Sequence, residues 1–275
     1  MTILQAIILG VVQGLTEFLP VSSSGHLVLV QREFLALPDS PTLLAFDVLL
    51  HLATVIAVAG YFARDILAMA SSFLAPRRLP AAEVKDWRRL TLWLLVGTLP
   101  AGLAGVFLED FFSSLFESTA AVGAFLVVTA LLLTAADLLA DRATARRRET
   151  ADLGLIDALI VGLFQALAIA PGLSRSGATI SGGVFLGLSR QAAARFSFLL
   201  SVPVILGAGL LSLGDLVAGF EGGDAPAYTA GALAGLVAGV LAVHFLMRYL
   251  RTHRLRIFAV YTFVVGSLVL VLTWL

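Results

Sequence analysis

Gly10-Val-Val-Gln13-Gly-Leu15-Thr-Glu17-Phe-Leu-Pro20-Val-Ser22-Ser-Ser24-Gly25 is the stretch of sequence that decides the fold, because a proline and a serine-glycine cluster interrupt an apolar run. A second stretch resembles it: Gly162-Leu-Phe-Gln165-Ala-Leu167, then Pro171, then Ser174-Arg-Ser176-Gly177. Glycine, glutamine, leucine and the Ser-x-Ser-Gly element recur at one offset of 152 residues, whereas the proline is shifted by one. A polar cluster repeated at a fixed offset indicates an internal repeat, so the sequence predicts two related halves, residues 1–150 and 151–275.

The composition is that of a membrane protein. Hydrophobic residues make up 59% of the 275 positions and charged residues only 13%, whereas soluble domains have about 25% charged residues. The mean hydropathy of +0.99 agrees with this. The 18 basic and 18 acidic side chains balance, so no overall positive field points to a nucleic-acid partner. The lack of cysteine excludes disulfides, Cys-ligated zinc and thiol catalysis.

Six stretches are long enough to cross the hydrocarbon layer, which takes about 20 apolar residues. They are approximately 43–62, 90–108, 120–139, 196–213, 228–247 and 257–274. The two interrupted regions, 3–35 and 153–188, are each predicted to form two half-helices around a break, because irregular backbone at membrane depth is tolerated where it lines protein or a wet cavity. We therefore predict an all-α integral membrane fold with an inverted-topology repeat, each half having one re-entrant helix pair and three transmembrane helices.

The charges of the loops predict the orientation, because Lys and Arg are enriched on the cytoplasmic side. Segments 64–89, 142–148 and 248–256 are rich in basic residues and are predicted to be cytoplasmic. The loops predicted to face outward carry acidic residues without Lys or Arg, namely Glu109, Asp110 and Glu117 in one and Asp215, Glu221 and Asp224 in the other. This arrangement places the N-terminus, residues 35–41 and the C-terminal Leu275 outside.

Glu17 is the first candidate site residue. An ionisable group at the centre of a bilayer costs at least about 2.5 to 3.5 kcal/mol, so something must offset that cost. Gln13 lies four residues earlier, hence on the same helix face, and both side chains can point into one cavity. The alternative is that Glu17 lies at interfacial depth or only binds a polar group of a neighbouring helix.

The two serine clusters are candidate phosphate sites. Ser22, Ser23 and Ser24 are natural N-cap residues for a half-helix beginning near Gly25, and a helix start attracts phosphate. The repeat supplies a second start that contains Ser174 and Ser176, with Arg175 in the turn and Thr179 in the first turn of the helix. Arginine suits bidentate phosphate binding, and its charge needs a partner at membrane depth. The alternative is that serine and glycine only permit close helix packing.

Histidines extend the list of intramembrane polar groups. A neutral His26 near a serine hydroxyl can act as a general base, although a lone histidine is more often structural. His51 and Asp47 lie in the middle of a predicted span and should face the same cavity. The two are four residues apart, so the alternative is that they pair with each other.

Two long motifs resemble those of a known family. Gln13-Gly-Leu-Thr-Glu17-Phe-Leu-Pro-Val-Ser-Ser23-Ser-Gly-His26 resembles the first signature of the undecaprenyl-diphosphate phosphatase (bacitracin-resistance) family, and Pro171-Gly-Leu-Ser174-Arg175-Ser176-Gly-Ala-Thr179 resembles the second. The resemblance implies hydrolysis of undecaprenyl diphosphate to undecaprenyl phosphate and inorganic phosphate. That reaction recycles the lipid carrier for peptidoglycan synthesis and confers bacitracin resistance. The resemblance also implies the bacterial cytoplasmic (inner) membrane, a site that opens to the outer (periplasmic) face, and dependence on a divalent cation, Mg²⁺ or Ca²⁺.

The resemblance assigns roles to the candidate residues. Catalytic roles fall on Glu17, Ser23, His26 and Arg175, and the remaining phosphate-binding candidates are Ser22, Ser24, Ser174, Ser176 and Thr179. The acidic motif of the family falls on Gln13 and Glu17, although Gln13 stands where Glu is frequent. Hard cations prefer several oxygen ligands, so the candidate metal ligands are Glu17, Gln13 and, from its position in the predicted span, Asp47. The expected partners are the polyprenyl substrate and membrane lipids, with a homodimer left open.

The sequence leaves the mechanism and one rival function open. Ser23 could attack the terminal phosphorus with help from His26 or Glu17, or water could attack directly while Ser23 binds phosphate. Inverted repeats with broken helices are also typical of secondary transporters, so a lipid-phosphate flippase is the alternative function.

Overall fold

The computed structural model describes residues 1–142, 147–220 and 224–274, with the side chains of Arg142 and Asp215 excepted. Glu221, Leu275 and part of the basic segment 142–148, which served to predict the orientation, lie outside the described residues. In chain order the α-helices are α1 (Ile3–Phe18), α2 (Ser23–Leu29), α3 (Pro41–Tyr61), α4 (Ala63–Leu74), α5 (Ala81–Phe107), α6 (Glu109–Phe116), α7 (Thr119–Arg142), α8 (Leu155–Leu167), α9 (Arg175–Phe185), α10 (Arg190–Leu211), α11 (Leu213–Gly219), α12 (Ala225–Tyr249) and α13 (Arg256–Thr273). A short π-helix, Val30–Phe34, continues α2.

Among the described residues, six helices are long and apolar enough to cross a membrane: α3, α5, α7, α10, α12 and α13. They confirm the six predicted spans, with one clear difference at the start of α5. This helix begins at Ala81, well before residue 90, because its first turns are polar and mostly exposed and so do not register as a hydrophobic stretch. The short helices α4, α6 and α11 were not predicted, since none is long enough to span.

Both interrupted regions break where predicted. Helix α1 ends two residues before Pro20, and α8 ends four residues before Pro171. A proline has no N–H to donate and excludes the helical conformation at the preceding residue, so each helix stops ahead of it. The halves α1 and α8 are 16 and 13 residues long, too short to span, as expected of re-entrant segments.

The two halves of the chain are interleaved. Helix α1 packs along α12, and α8 packs along α5, so the first helix of each predicted half lies against the middle span of the other predicted half. Glycines allow these close approaches: a Cβ at Gly10 would lie 2.2 Å from the Gly231 carbonyl oxygen, and one at Gly162 would lie 2.5 Å from that of Gly97. Small residues permit such backbone contact between membrane helices. This reciprocal packing is consistent with a repeat, whereas the inverted topology of the halves and their boundary at residue 150 remain predictions.

The loops predicted to be cytoplasmic lie together at one end of the bundle. Arg190 at the start of α10 pairs with Asp137 at 2.7 Å and with Asp141 at 2.9 Å, both near the end of α7. Arg254, just before α13, pairs with the same Asp141 at 3.1 Å. The basic segment 64–89 joins this end through a hydrogen bond from Arg89 to the carbonyl of Ala151.

The segments predicted to be outside meet at the opposite end. The terminal amine of Met1 lies 4.0 Å from Asp224, the Tyr228 hydroxyl donates to the Thr42 carbonyl at 2.7 Å, and Arg32 donates to the Phe116 carbonyl at 2.9 Å. The grouping of the loops therefore agrees with the prediction from charge, and which end faces the cytoplasm remains a prediction.

Labelling of single cysteines tests the orientation in a chain that has no natural cysteine. We expect a membrane-impermeant thiol reagent added to intact cells to label Ser114→Cys in α6 and to leave Thr252→Cys, between α12 and α13, unlabelled until the cells are lysed. Both positions are exposed, which makes them a matched pair. The reverse pattern would overturn the orientation.

Candidate active site

Glu17, in the last turn of α1, is the centre of a buried polar cluster. Its Oε2 accepts hydrogen bonds from Gln13 Nε2 at 3.0 Å and from Ser23 Oγ at 2.6 Å, and His51 Nε2 lies 3.8 Å away. Its Oε1 accepts a hydrogen bond from Arg175 Nη2 at 2.9 Å. The guanidinium and the two further donors compensate the negative charge of the buried carboxylate. These contacts offset the free energy required to place Glu17 at membrane depth. Glu17 therefore binds groups from several segments rather than one polar group of one neighbouring helix.

Arg175 is the first residue of α9. The Ser174 side chain caps this helix, its Oγ accepting a hydrogen bond from the Gly177 N–H at 3.0 Å. One guanidinium nitrogen, Nη2, binds Glu17, whereas Nη1 is buried and has no hydrogen-bond partner among the described residues. A buried N–H group without a partner is costly, so this nitrogen points to an acceptor supplied by a ligand or by water.

Ser23 is the first residue of α2. Ser22, one of the three predicted N-cap residues, caps the helix, its Oγ accepting from the Gly25 N–H at 3.3 Å. Helix α2 therefore begins at Ser23, two residues before Gly25. Ser22 has a φ of +72°, a conformation that non-glycine residues rarely adopt and that is concentrated at functional sites. Ser23 and Arg175 are 152 residues apart, so the repeat places the hydroxyl and the guanidinium at equivalent first positions of two half-helices.

The two segments at which the interrupted regions break, residues 19–24 and 168–176, contact each other, and they are called here the first and the second broken turn. Ser176 Oγ donates to the Leu19 carbonyl at 3.0 Å, and Ser24 Oγ accepts from the Gly172 N–H at 3.4 Å. Gly172 has a φ of +90°, and a Cβ there would lie 2.3 Å from the Val122 carbonyl oxygen, so only glycine fits this position. The site is therefore assembled from segments that lie about 150 residues apart in the chain.

Thr129 of α7 binds the second broken turn, residues 168–176, through two hydrogen bonds. Its hydroxyl accepts from the Ser174 N–H at 3.0 Å and lies 3.1 Å from the Gly172 carbonyl. Sequence reasoning missed this residue, because a threonine inside an apolar span usually satisfies its hydroxyl within its own helix.

The remaining phosphate-binding candidates use their hydroxyls within the protein. The hydroxyls of Ser22 and Ser174 are the two helix caps, and each also lies within 3.3 Å of a second serine hydroxyl. Thr179 lies in the second turn of α9, not in the first as predicted, because the helix already begins at Arg175. The Thr179 hydroxyl lies 2.7 Å from the Arg175 carbonyl and 2.6 Å from the Ser197 hydroxyl. These contacts define the turns, and phosphate binding by these residues remains a prediction.

His26 lies beside the cluster, and both of its ring nitrogens have partners. Nδ1 lies 2.7 Å from the Ser22 carbonyl, which can only accept, so Nδ1 carries the proton. Nε2 of the neutral ring then accepts from the Tyr261 hydroxyl at 2.8 Å. The Ser23 hydroxyl donates to Glu17 instead. Of the two bases considered for Ser23, the geometry therefore favours Glu17. No pattern in the sequence indicated Tyr261, which lies in the last span.

We expect Tyr261→Phe to lower kcat for hydrolysis of undecaprenyl diphosphate, the reaction that the resemblance implies, by about 3- to 10-fold and to leave KM unchanged. The variant removes one hydrogen bond from His26 and so loosens the turn that carries Ser23, and one hydrogen bond contributes roughly 0.5 to 1.5 kcal/mol. Steady-state kinetics of the purified protein measure this, with Tyr249→Phe, at the other end of the bundle, as the matched control. A loss of about 1,000-fold would instead show that Tyr261 takes part in the chemistry.

The predicted metal ligands divide into two places. Gln13 Oε1 is buried beside Glu17 and has no hydrogen-bond partner in the described part of the chain, so Gln13 and Glu17 together offer oxygen atoms for a hard cation. Asp47 has a different partner: its Oδ1 accepts from Gln31 at 2.7 Å, and it lines a cavity of about 620 Å³. His51 Nδ1 lies 2.8 Å from the main-chain carbonyl of Asp47, so the two residues contact each other within α3, as the alternative expected.

The described residues contain no group of three or more His, Cys, Asp or Glu that could hold a metal ion. Because Mg²⁺ and Ca²⁺ take six or more oxygen ligands, the two that fit here would need water and substrate oxygens to complete the shell.

Comparison with known proteins identifies the family of the chain. Residues 6–268 match the family described as Bacitracin resistance protein BacA. The chain belongs to the BacA family. The undecaprenyl-diphosphatase of Rubrobacter xylanophilus is 44% identical over 97% of both chains. Those of Alkaliphilus metalliredigens and Moorella thermoacetica are 40% and 42% identical, and each alignment covers 100% of this chain and at least 99% of the relative.

Membership in the BacA family confirms the predicted resemblance. The relatives compared carry the name of a phosphatase, so they give no support to the flippase that was considered as an alternative.

Proposed function

We propose that this BacA-family protein hydrolyses undecaprenyl diphosphate to undecaprenyl phosphate and inorganic phosphate. One observation carries the proposal: the two broken turns join Ser23, Glu17 and Arg175 in one buried cluster, with Arg175 Nη1 lacking a partner. A nucleophile beside its base and a guanidinium with a free nitrogen are the groups that phosphoryl transfer needs. The names of the relatives supply the substrate.

Binding of the diphosphate falls to Arg175. Its Nη1 would donate to an oxygen of the terminal phosphate while Nη2 stays on Glu17, so the guanidinium is oriented before substrate arrives. Preorganised donors cost no reorganisation during the reaction and stabilise the charge of the transferring group. The start of α9 is the positive end of the helix dipole and adds to the positive potential around the same phosphate.

Ser23 is the proposed nucleophile. Its Oγ attacks the terminal phosphorus, its proton passes to Glu17 Oε2 across the 2.6 Å hydrogen bond, and the bond from phosphorus to the bridging oxygen breaks. Undecaprenyl phosphate leaves. Water then attacks the phosphorus of the phosphoserine, the bond from phosphorus to Ser23 Oγ breaks, and Ser23 Oγ takes back the proton held by Glu17. Both hydrogens of the water leave with the inorganic phosphate, so the Ser23 hydroxyl and the Glu17 carboxylate are restored.

A divalent cation, Mg²⁺ or Ca²⁺, forms part of the proposal. Gln13 Oε1 and one oxygen of Glu17 would hold it, and the cation would supply charge neutralisation for the diphosphate. To accept the cation, Glu17 would exchange one of its present donors, which links cation binding to the arrangement of Gln13 and Ser23.

The proposed setting is the bacterial cytoplasmic membrane, with the site reached from the outer face. The helix that begins at Ser23 supports this, because Arg32 of the π-helix that continues it donates to the Phe116 carbonyl at the end of the bundle that carries the acidic loops. Hydrolysis of the lipid diphosphate at the outer face of the membrane would supply undecaprenyl phosphate for peptidoglycan synthesis. It would also remove the diphosphate form, which accounts for bacitracin resistance.

A phosphate-release assay in detergent tests the proposed function, because transport across a membrane has no meaning there. We expect the purified protein to release one inorganic phosphate per undecaprenyl diphosphate, to lose activity on chelation of divalent cations and to regain it when Mg²⁺ or Ca²⁺ is added. Undecaprenyl phosphate should be a poor substrate, which provides the internal control. Tight binding of the diphosphate without any phosphate release would overturn the proposal.

A further inference from the structure

A second cavity lies next to the catalytic cluster and is apolar. It has a volume of about 210 Å³ and lies between α3 and α10, walled by Val48 and Leu52 on one side and by Val204, Ile205 and Ala208 on the other. An engineered apolar cavity of about 150 Å³ holds a benzene molecule, so this one has room for roughly one or two isoprene units.

His51 connects this cavity to the catalytic cluster. The imidazole is among the residues that line the cavity, and its Nε2 lies 3.8 Å from Glu17 Oε2. Its side chain is 35% exposed, whereas that of Glu17 is 4% exposed, so His51 has one open side and one side toward the buried carboxylate. Its Nδ1 is held by the main-chain carbonyl of Asp47, which fixes the ring in this position.

A larger apolar cavity lacks this connection. It measures about 380 Å³, lies between α3 and α12, and is lined by residues such as Ile56, Ala232 and Leu233. The residues that line it do not include Glu17, Ser23, His51 or Arg175. Both cavities have apolar walls and enough volume for a lipid segment. Only the cavity between α3 and α10 contacts the catalytic cluster among these two, through His51.

We infer that the cavity between α3 and α10 binds the isoprene units next to the diphosphate of the substrate. This inference rests on the proposed function and adds the place of the polyprenyl chain. With the chain there, His51 stands between the chain and Glu17, so the phosphate nearer the lipid lies on the His51 side and the terminal phosphate lies toward Ser23 and Arg175.

The cavity acts on rate more than on affinity. Lipid chains are as apolar as the cavity walls, so transfer of an isoprene unit from the bilayer releases little free energy. What the walls provide is orientation, because a small displacement of a bound phosphate from its attacking group can cost about 100-fold in rate.

Photolabelling of the wild-type protein tests the inference without relying on turnover. The probe is a farnesyl diphosphate analogue that carries a diazirine on its first isoprene unit. We expect the label on peptides from residues 41–61 and 190–211, suppressed by excess unlabelled farnesyl diphosphate. Label that is equally suppressed but confined to other helices would overturn the inference.

Filling the cavity provides the second measurement. Ala208→Phe should abolish the specific labelling and lower kcat/KM for farnesyl diphosphate by about 10- to 100-fold. Ala232→Phe makes the same change in volume in the other apolar cavity and should have less than about a twofold effect. Equal loss in both variants, or normal labelling in Ala208→Phe, would overturn the assignment. Failure of the proposed function is distinguishable, because wild-type protein would then release no phosphate even where labelling succeeds.

Discussion

Ser23→Ala is expected to lower kcat by at least about 10⁴-fold and to leave substrate affinity and folding nearly unchanged. The hydroxyl is the proposed nucleophile, and removal of a nucleophile costs several orders of magnitude in enzymes that form covalent intermediates. The substitution deletes one hydrogen bond, from Ser23 Oγ to Glu17 Oε2, while Arg175 and Gln13 still satisfy the carboxylate. Binding of a non-hydrolysable diphosphate analogue and phosphate release, measured side by side, separate the two effects.

The size of the loss also separates two mechanisms. A loss of only about tenfold, roughly 1.4 kcal/mol, corresponds to one hydrogen bond and would favour direct attack by water. Rapid quench with terminally labelled substrate gives an independent answer, since a phosphoserine is stable to acid. We expect transient label on a peptide that contains Ser23 in the wild type. Ser24→Ala is the matched control, because its hydroxyl accepts from the Gly172 N–H and has no part in the proposed attack.

Arg175→Lys is expected to lower kcat by about 100- to 1,000-fold. The guanidinium reaches Glu17 through Nη2 and leaves Nη1 for phosphate, and a single ammonium cannot keep both contacts in the same geometry. Loss of one preorganised donor to a developing charge has an effect of this size in other enzymes. The positive charge remains, so the fold should persist, because Lys can still compensate the buried carboxylate.

The measurement for Arg175 is phosphate release together with thermal unfolding of the purified variant. Arg195→Lys provides a control of the same chemistry, because Arg195 pairs with Asp65 at 3.0 Å away from the cluster. Turnover by Arg175→Lys equal to that of the wild type would show that Arg175 does not bind the reacting phosphate. A variant that unfolds would point instead to a mainly structural role for the pair with Glu17.

Hydropathy and spacing were enough to predict the spans and the breaks. Each span is a run of apolar residues long enough for the bilayer, and Pro20 and Pro171 stop a helix through their own covalent structure, so both features are local. The serine clusters at an offset of 152 residues indicated that a serine would cap each second half-helix, and Ser22 and Ser174 do so. The grouping of basic and acidic loops was also predictable, because the Lys and Arg content of each loop by itself indicates the side of the membrane on which that loop lies.

Contacts between distant segments could not be read in this way. The sequence indicated Glu17 and Arg175 as buried charges, but it did not show that they pair, because the direction of a side chain depends on how α1 and α9 are packed. The same reason applies to Tyr261 on His26 and to Thr129 on the second turn, both of which are ordinary residues within apolar spans.

The sequence alone thus determined a helical membrane protein with two broken segments and the residue types of a phosphate site. Only the tertiary structure decided that Ser23 donates to Glu17 while His26 binds Tyr261, and that Asp47 accepts from Gln31. The physical reason is that periodicity fixes the face of a helix on which a residue lies, whereas hydrogen-bond partners depend on the position of other helices to within less than an ångström.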